Sequence, residues 1–158
     1  MSNDKCYYFD ANVLFKHYHS EKPEIEIRCL SINHIVYVSN LGYLEVLGVF
    51  MRYLRQNKLK KRTVDRIIER LQHDIGTSSR DRFQLVPSQE GIFRDARTLM
   101  TQYAKDYELS CNDALHIAIA KTLTSVIMVT SDGGKSLGKM KGVCAKVGLE
   151  VFDPEILV

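Results

Sequence analysis

Residues 109–132 read LSCNDALHIAIAKTLTSVIMVTSD, and this stretch decides the fold class. Ser110 and Asp113 have the N-cap and N3 spacing of a capping box, which predicts that a helix begins at Ser110. The residues from Ala114 to Ala120 are apolar nearly all round, which is typical of a helix buried on several sides. A short apolar strand is predicted at 126–130. A buried helix that leads into a buried strand indicates an α/β protein.

The rest of the chain repeats this alternation of strand and helix. Further strands are predicted at 5–9, 35–38, 83–86 and 149–152. Helices are predicted at about 41–56, capped by Ser39 or Asn40, at about 61–75, and from a cap at Ser88 to about Tyr107. The alternation predicts a mostly parallel sheet of about five strands with helices on both faces. The length suits a single domain over residues 1–158.

The composition is ordinary for a globular protein that works in water, with 45% apolar and 26% charged residues. The four cysteines are scattered without a C-x-x-C pair, and three of them lie among apolar or small neighbours. We therefore expect packing roles for them and a reducing, cytoplasmic setting. The first residues carry charge and no apolar run, and no stretch reaches the roughly 18 apolar residues of a membrane span. We expect neither a signal peptide nor a membrane partner.

The net charge of +3 is too small to indicate a nucleic-acid partner, but its distribution is uneven. Eight basic residues lie between Arg52 and Arg70, opposed by Asp65 and Glu69 alone. The densest part is here called the basic turn and consists of Lys58, Lys60, Lys61 and Arg62. Such a cluster can attract a phosphate backbone, although a solvated helix face is the simpler interpretation.

Four acidic residues stand alone in otherwise uncharged segments. Asp10 follows the first predicted strand, and Asp132 follows the strand at 126–130. Glu45 lies in the apolar first turns of its helix, and Asp113 lies in the first turn of the most buried helix. A carboxylate near a core is costly unless it is paired or binds a metal. None of the four has a lysine or arginine close to it in sequence.

If the strands that precede Asp10 and Asp132 are neighbours, all four carboxylates converge at the carboxyl end of the sheet, where ligands bind in such folds. Carboxylates without histidine or cysteine companions suit Mg²⁺ or Mn²⁺ rather than zinc. Each acid also has a structural explanation, except Glu45. Asp10 and Asn12 fit a turn, Asp113 fits a helix cap, and Asp132 fits a turn before two glycines. Together, the four favour a shared metal site.

The segments around these acids resemble the motifs of the PIN-domain family. Residues 9–14 (FDANVL) resemble its opening motif, and 38–46 (VSNLGYLEV) resemble its second motif. Residues 109–118 (LSCNDALHIA) resemble the third motif very closely, and 129–132 (VTSD) resemble the fourth. The resemblance spans about residues 5–152. After the last motif the family often shows a charged residue and then an aromatic one, whereas this chain continues with Gly133-Gly134.

This resemblance implies a compact three-layer α/β/α domain that cleaves RNA with Mg²⁺ or Mn²⁺ and leaves a 5′-phosphate. Asp10, Glu45, Asp113 and Asp132 would be both the catalytic residues and the metal ligands. Many family members are toxins of toxin–antitoxin pairs and are often dimeric, so an antitoxin partner and a homodimer are expected. Asn12 and Thr130 are candidates for orienting a carboxylate or a water.

Three histidines are expected to lie outside this site. His116 follows Asp113 by one helical turn and is interpreted as a core residue, whereas His17 and His19 are expected in a solvated loop.

Two other functions fit parts of the pattern. A haloacid-dehalogenase-like aspartyl phosphotransferase also begins with a strand and an aspartate, but it needs a second carboxylate at position 12, which here is Asn12. The other alternative is a catalytically inactive module that binds RNA or a protein partner on the same fold. The presence of all four acids favours an enzyme.

Overall fold

Strands and helices alternate along the chain. The computed structural model describes residues 5–19, 24–87, 89–131 and 140–157. The strands in these ranges are β1 (Cys6–Phe9), β2 (Ile35–Val38), β3 (Ile75–Gly76), β4 (Phe83–Leu85), β5 (Val126–Val129) and β6 (Glu150–Phe152). The α-helices are α1 (Ala11–Tyr18), α2 (Glu24–Asn33), α3 (Asn40–Arg55), α4 (Lys61–Asp74), α5 (Ile92–Tyr107), α6 (Cys111–Ala120) and α7 (Met140–Lys146). A short 3-10 helix, Pro154–Leu157, follows β6.

The strands form one parallel sheet in the order β3-β4-β2-β1-β5-β6. The chain builds outward from β1 on one side through β2 and β4, and then returns to the other side of β1 with β5. The strand order therefore reverses between β1 and β5, and such a switch point is where open parallel sheets place their ligands. Phe9 pairs with Val129, so Asp10 and Thr130 leave the sheet side by side.

The sheet separates two hydrophobic cores, as the period of two along a strand requires. Tyr7, Phe9, Ile127 and Val129 face one core, which contains buried residues of α1, α2, α3 and α4. Tyr8, Val126 and Met128 face the other, which contains buried residues of α5, α6 and α7. The expected three-layer α/β/α architecture with a mostly parallel sheet is confirmed, with six strands in the described ranges instead of about five.

Most predicted elements lie within one or two residues of their observed bounds, but some do not. The helix expected after Ser88 begins at Ile92 and has Gly91 as its N-cap, with a φ of 95° that favours glycine. Ser88 itself lies outside the described residues. Helices α1, α2 and α7 and strand β3 were not predicted.

The expectation of a solvated loop around His17 is wrong. His17 lies within α1, is 1% exposed, and makes an edge contact with the Phe83 ring at 5.0 Å between ring centres. The following His19 is half-buried and contacts the rings of Phe15 and Tyr53.

The cysteines divide between interior and surface. Cys144 is buried against Met128, as expected for a packing residue, whereas Cys29 and Cys111 are exposed. Separately, within the ranges that the structure describes, no helix has both the length and the apolar composition to cross a membrane.

Candidate active site

Asp10 is buried at the point where β1 passes into α1. It is 3% exposed and is the N-cap of α1, because its Oδ1 accepts a hydrogen bond from the Val13 amide at 2.9 Å. The Thr130 hydroxyl group, at the end of the adjacent strand β5, also hydrogen-bonds this carboxylate. Burial raises the pKa of Asp10, and the negative charge of Asp113 raises it further, while the two hydrogen bonds oppose this shift. A nearby cation would favour the charged form.

Asp113 faces the same region from the first turn of α6. The predicted capping box is present: Ser110 Oγ accepts from the Asp113 amide at 3.1 Å, and Asp113 Oδ2 accepts from the Ser110 amide at 3.1 Å. Asp113 is therefore a structural cap, and this bond uses one of its two carboxylate oxygens. The charges of Asp10 and Asp113 add to burial in raising the pKa of Cys144 to about 12, so this thiol stays protonated.

Glu45 projects from α3, whose start is fixed by Ser39. The Ser39 Oγ atom accepts from the Gly42 amide at 3.1 Å, which confirms Ser39 as the cap. Glu45 Oε1 accepts from Asn112 Nδ2 at 2.6 Å, and its Oε2 lies 2.7 Å from His116 Nε2. Burial alone would raise the pKa of Glu45, but these bonds and the charge of His116 bring it below its usual range. Glu45 is thus anionic in the metal-free protein.

His116 and Asn112 were not predicted as site residues. His116 is buried, as expected, but it also holds Glu45, so its assignment to the core alone was incomplete. His116 follows Asn112 by four residues and Asp113 by three, spacings at which side chains are neighbours on a helix surface. These spacings were the one signal in the sequence that placed them near the site.

The other residues predicted for the site occupy different surroundings. Asn12 is exposed at the start of α1, and no hydrogen bond joins its side chain to a carboxylate among the described residues. Asp132 lies outside the described residues. The preceding Ser131 is buried, and Lys16 of α1 donates to its Oγ at 2.7 Å while also pairing with Glu155. These bonds tie the end of β5 to α1 and to the 3-10 helix.

The chemistry of the carboxylates suits a hard divalent ion, because they offer oxygen ligands from three separate elements. In the structure, however, each of the three carboxylates already accepts a hydrogen bond: Asp10 from Val13, Asp113 from Ser110, and Glu45 from His116. In the part of the chain that the structure describes, no three His, Cys, Asp or Glu side chains form a group that could hold a metal ion. A metal site here therefore needs a small rearrangement of these side chains, or a ligand from beyond the described residues.

The basic turn lies away from these carboxylates. Lys58, Lys60, Lys61 and Arg62 are all exposed between the end of α3 and the first turn of α4. Lys61 pairs with Asp65 at 2.7 Å, and Lys58 lies over the Tyr53 ring at 5.1 Å. The ten residues from Glu45 to Arg55 span about 15 Å along a helix axis, so the turn cannot touch a group bound at Glu45.

Comparison with known proteins agrees with this architecture. The family model of the PIN domain matches residues 7–137. No curated protein matches the chain. Similar solved structures include VapBC2 from Rickettsia felis bound to a DNA fragment from their promoter. It has a TM-score of 0.61 and 14% identity, over 94% of this chain and 98% of that one.

Two further similar structures are a toxin–antitoxin complex and a toxin. A toxin–antitoxin complex from Klebsiella pneumoniae has a TM-score of 0.53 and 18% identity, over 84% of this chain and 94% of that one. VapC20 from Mycobacterium tuberculosis, a Sarcin-Ricin loop cleaving toxin, has a TM-score of 0.54 and 16% identity, over 81% of this chain and 91% of that one. At these identities the likeness shows the fold alone. The family model, which matches most of the sequence, shows more: this chain belongs to the PIN domain family.

Proposed function

We propose that this protein is a divalent-metal-dependent ribonuclease whose site consists of Asp10, Glu45, Asp113 and Asp132. One observation carries the proposal: lone carboxylates lie at the end of β1 (Asp10) and in the first turns of α3 (Glu45) and α6 (Asp113), and the Asp113 charge acts on Asp10. Membership of the PIN domain family and the fold shared with a Sarcin-Ricin loop cleaving toxin support the same function.

The chain's own residues would prepare such a site in two ways. Glu45 is held anionic by Asn112 and His116, so it offers a charged ligand without first losing a proton. Buried Asp10 lies beside another negative charge, an arrangement that a cation stabilises. When bound there, Mg²⁺ or Mn²⁺ would lower the pKa of a water and neutralise charge on a phosphate. Thr130 would keep the Asp10 carboxylate in place.

The experiment is cleavage of a labelled single-stranded RNA by the purified chain. We expect cutting in Mg²⁺ or Mn²⁺, loss of cutting in EDTA, and products that carry a 5′-phosphate. Asp132→Asn should reduce cleavage as strongly as Glu45→Gln, because both supply ligands. An undiminished rate in EDTA would rule out metal dependence, and the absence of cutting under every condition would favour an inactive binding module on the same fold.

We further propose an antitoxin as the protein partner. The support is the fold likeness to a toxin–antitoxin complex. The check is co-purification with the product of the neighbouring reading frame. A neighbouring frame that encodes no small protein, or one whose product neither binds this chain nor inhibits its cleavage of RNA, would rule out the pairing.

We also propose that the protein forms a homodimer. Leu44 and Phe93 are 67% and 76% exposed and flank an open, mostly apolar cleft of about 270 Å³ between α3 and α5. Exposed apolar surface of this kind marks a contact site, and a second copy of the chain would cover it symmetrically.

A further inference from the structure

A continuous chain of hydrogen bonds lies behind Glu45. His116 Nε2 is 2.7 Å from Glu45 Oε2, and the opposite ring atom, Nδ1, is 2.7 Å from the Tyr8 hydroxyl group. That hydroxyl group lies 2.9 Å from Ser39 Oγ, which in turn accepts from the Gly42 amide at 3.1 Å. The chain thus runs from the first turn of α3 through β1 and α6, and returns to α3 at Glu45.

The direction of each bond follows from the donors and acceptors at its two ends. A carboxylate can only accept, so Nε2 of His116 must carry the proton that Glu45 receives. When the imidazole ring is neutral, Nδ1 is an acceptor and Tyr8 donates to it; when the ring is charged, both nitrogens donate and Nε2 still carries the proton for Glu45. Burial raises the pKa of Tyr8, which keeps this phenol protonated. The Tyr8 oxygen accepts from Ser39, and Ser39 accepts from Gly42, so every proton in the chain has an acceptor.

Packing leaves this chain little freedom to rearrange. Tyr8, Ser39 and His116 are all buried, with at most 3% of their surface exposed. A Cβ atom on Gly42 would lie 3.4 Å from His116 Cε1, which shows how closely α3 approaches the imidazole ring. Elsewhere the protein buries a histidine without such bonding: His17 is 1% exposed, and its Nδ1 has no partner in the described structure. A buried histidine in this protein is therefore not always hydrogen-bonded, and the two bonds of the His116 ring are not explained by its burial alone.

We propose that His116, oriented by Tyr8 and Ser39, is a positioning residue that fixes the Glu45 carboxylate for the site, with Asn112 as the second donor. This inference rests on the proposed function, since it explains how Glu45 is presented as a metal ligand. A glutamate side chain that is a quarter exposed would otherwise occupy several rotamers. One donor on each carboxylate oxygen removes that freedom and leaves the remaining lone pairs for a cation.

Mn²⁺ binding to the purified protein, measured by calorimetry without RNA, tests the inference. We expect His116→Leu and Tyr8→Phe to weaken Mn²⁺ binding by about tenfold or more, the usual effect of losing a partner behind a metal ligand. His116→Gln should restore part of the affinity, because its amide can donate to Glu45 as Nε2 does. His17→Leu is the matched control, since it also removes a buried histidine of the same domain and should leave Mn²⁺ affinity unchanged.

The outcomes separate this inference from the function on which it rests. If Glu45→Gln weakens Mn²⁺ binding but His116→Leu and Tyr8→Phe do not, the positioning role is wrong and the proposed function stands. If Glu45→Gln binds Mn²⁺ as tightly as the wild type, Glu45 is not a ligand and the proposed function fails.

A measurement on the wild-type protein covers the case in which a variant does not fold. The ¹⁵N spectrum of the metal-free protein should show a proton on Nε2 of His116. An unprotonated Nε2 would overturn the inference, because such a ring cannot donate to Glu45.

Discussion

The two aspartates at helix starts have a role in folding beside their proposed role in metal binding. Asp113 takes part in a helix cap as expected, whereas Asp10 caps α1 instead of forming the turn expected with Asn12. Each cap bond uses one carboxylate oxygen, so capping leaves the other oxygen for a second role. In the sequence, a structural role and a metal-binding role were alternatives for each aspartate. In the structure, one aspartate can fill both roles.

Variants at Ser110 and Asp113 separate the role of Asp113 in capping from its proposed role in metal binding. Ser110→Ala removes the cap and should cost about 1 kcal/mol of stability. Added Mn²⁺ should still raise its melting temperature, because a ligand that binds only the native state stabilises it. Asp113→Asn should lose most of that rise while keeping its metal-free melting temperature close to the wild-type value. An equal Mn²⁺-induced rise in both variants would remove Asp113 from the metal site.

Buried His17 should make the protein sensitive to acid. Burial, assisted by the charges of Arg82 and Arg28, lowers the pKa of His17 to about 4, whereas an unfolded histidine titrates near 6.5. As the pH falls, the unfolded chain takes up this proton first. The stability that neutral His17 contributes is therefore complete above about pH 6.5 and is lost progressively down to about pH 4, by about 3 kcal/mol. Urea unfolding across this range should show a flatter pH dependence for His17→Leu, and parallel curves would contradict the assignment.

Local sequence indicated the acids of the proposed site but not the groups that hydrogen-bond to them. Asp10 and Glu45 stood out because each was a lone charge in an apolar segment. Tyr8 and His116 carry no such signal, since an aromatic residue in a strand or a histidine in a buried helix is ordinary core composition. Their roles depend on the side chain opposite them, which only the folded arrangement of β1, α3 and α6 supplies.

Among the elements, α3 connects the proposed metal site with the basic turn. Its first turns carry Glu45, and its last residues lead into the basic turn. Because the turn lies about 15 Å from Glu45 along the helix axis, it can contact RNA beside the reacting phosphate but not at it.

If the basic turn guides RNA, replacing it should affect binding and not chemistry, whereas a solvated helix face, the simpler interpretation, predicts no effect on either. With Lys58, Lys60, Lys61 and Arg62 changed to glutamine, RNA binding should weaken. The slope of its salt dependence should fall by about 0.7 for each phosphate that the protein no longer neutralises. The rate constant at saturating RNA should stay at the wild-type value. Arg97→Gln with Lys105→Gln, both exposed on α5, is the control. An unchanged salt slope in the quadruple variant would leave the basic turn as a solvated surface.

The elements missed by sequence analysis share a physical cause. Helix α2 buries Ile27 but exposes Ile25 and Ile32 at 74% and 69%, so its sequence has no clean apolar stripe. Helix α1 begins directly at Asp10, where the aspartate and Asn12 equally fitted a turn. Strand β3 has two residues, too few for any alternation. Elements with long, regular apolar spacing, such as α3 and α4, were placed to within a residue or two.

For the molecule as a whole, strand alternation predicted a parallel sheet but not the order of its strands. The pairing of β1 with β5 joins residues more than a hundred positions apart, and no local pattern specifies it. This pairing brings Asp10 next to Thr130 and creates the switch point of the sheet. The position of Asp10 beside Thr130 is therefore a property of the topology.

Self-association is the second property of the whole molecule that can be tested. If the cleft beside Leu44 and Phe93 binds a second copy, Phe93→Asp should shift the sedimenting species from dimer to monomer. Ile25→Asp introduces the same charge at an equally exposed position on α2 and should leave the dimer intact. A wild-type protein that sediments as a monomer at micromolar concentration would contradict the proposal, as would a Phe93→Asp protein that remains dimeric.

The central claim, that the lone carboxylates are a catalytic metal site, is tested most directly with Asp10→Asn. Asparagine caps a helix about as well as aspartate and can still accept the bond from Val13. The substitution also removes a buried negative charge that lies beside Asp113. The variant should therefore melt, without metal, at or above the wild-type temperature.

The measurement is its rate of cleavage of a labelled single-stranded RNA in Mn²⁺, beside that melting temperature. We predict a stable protein whose rate falls by at least about a hundredfold, because the ion's position governs the nucleophile. An Asp10→Asn protein that cuts this RNA at the wild-type rate would contradict the account.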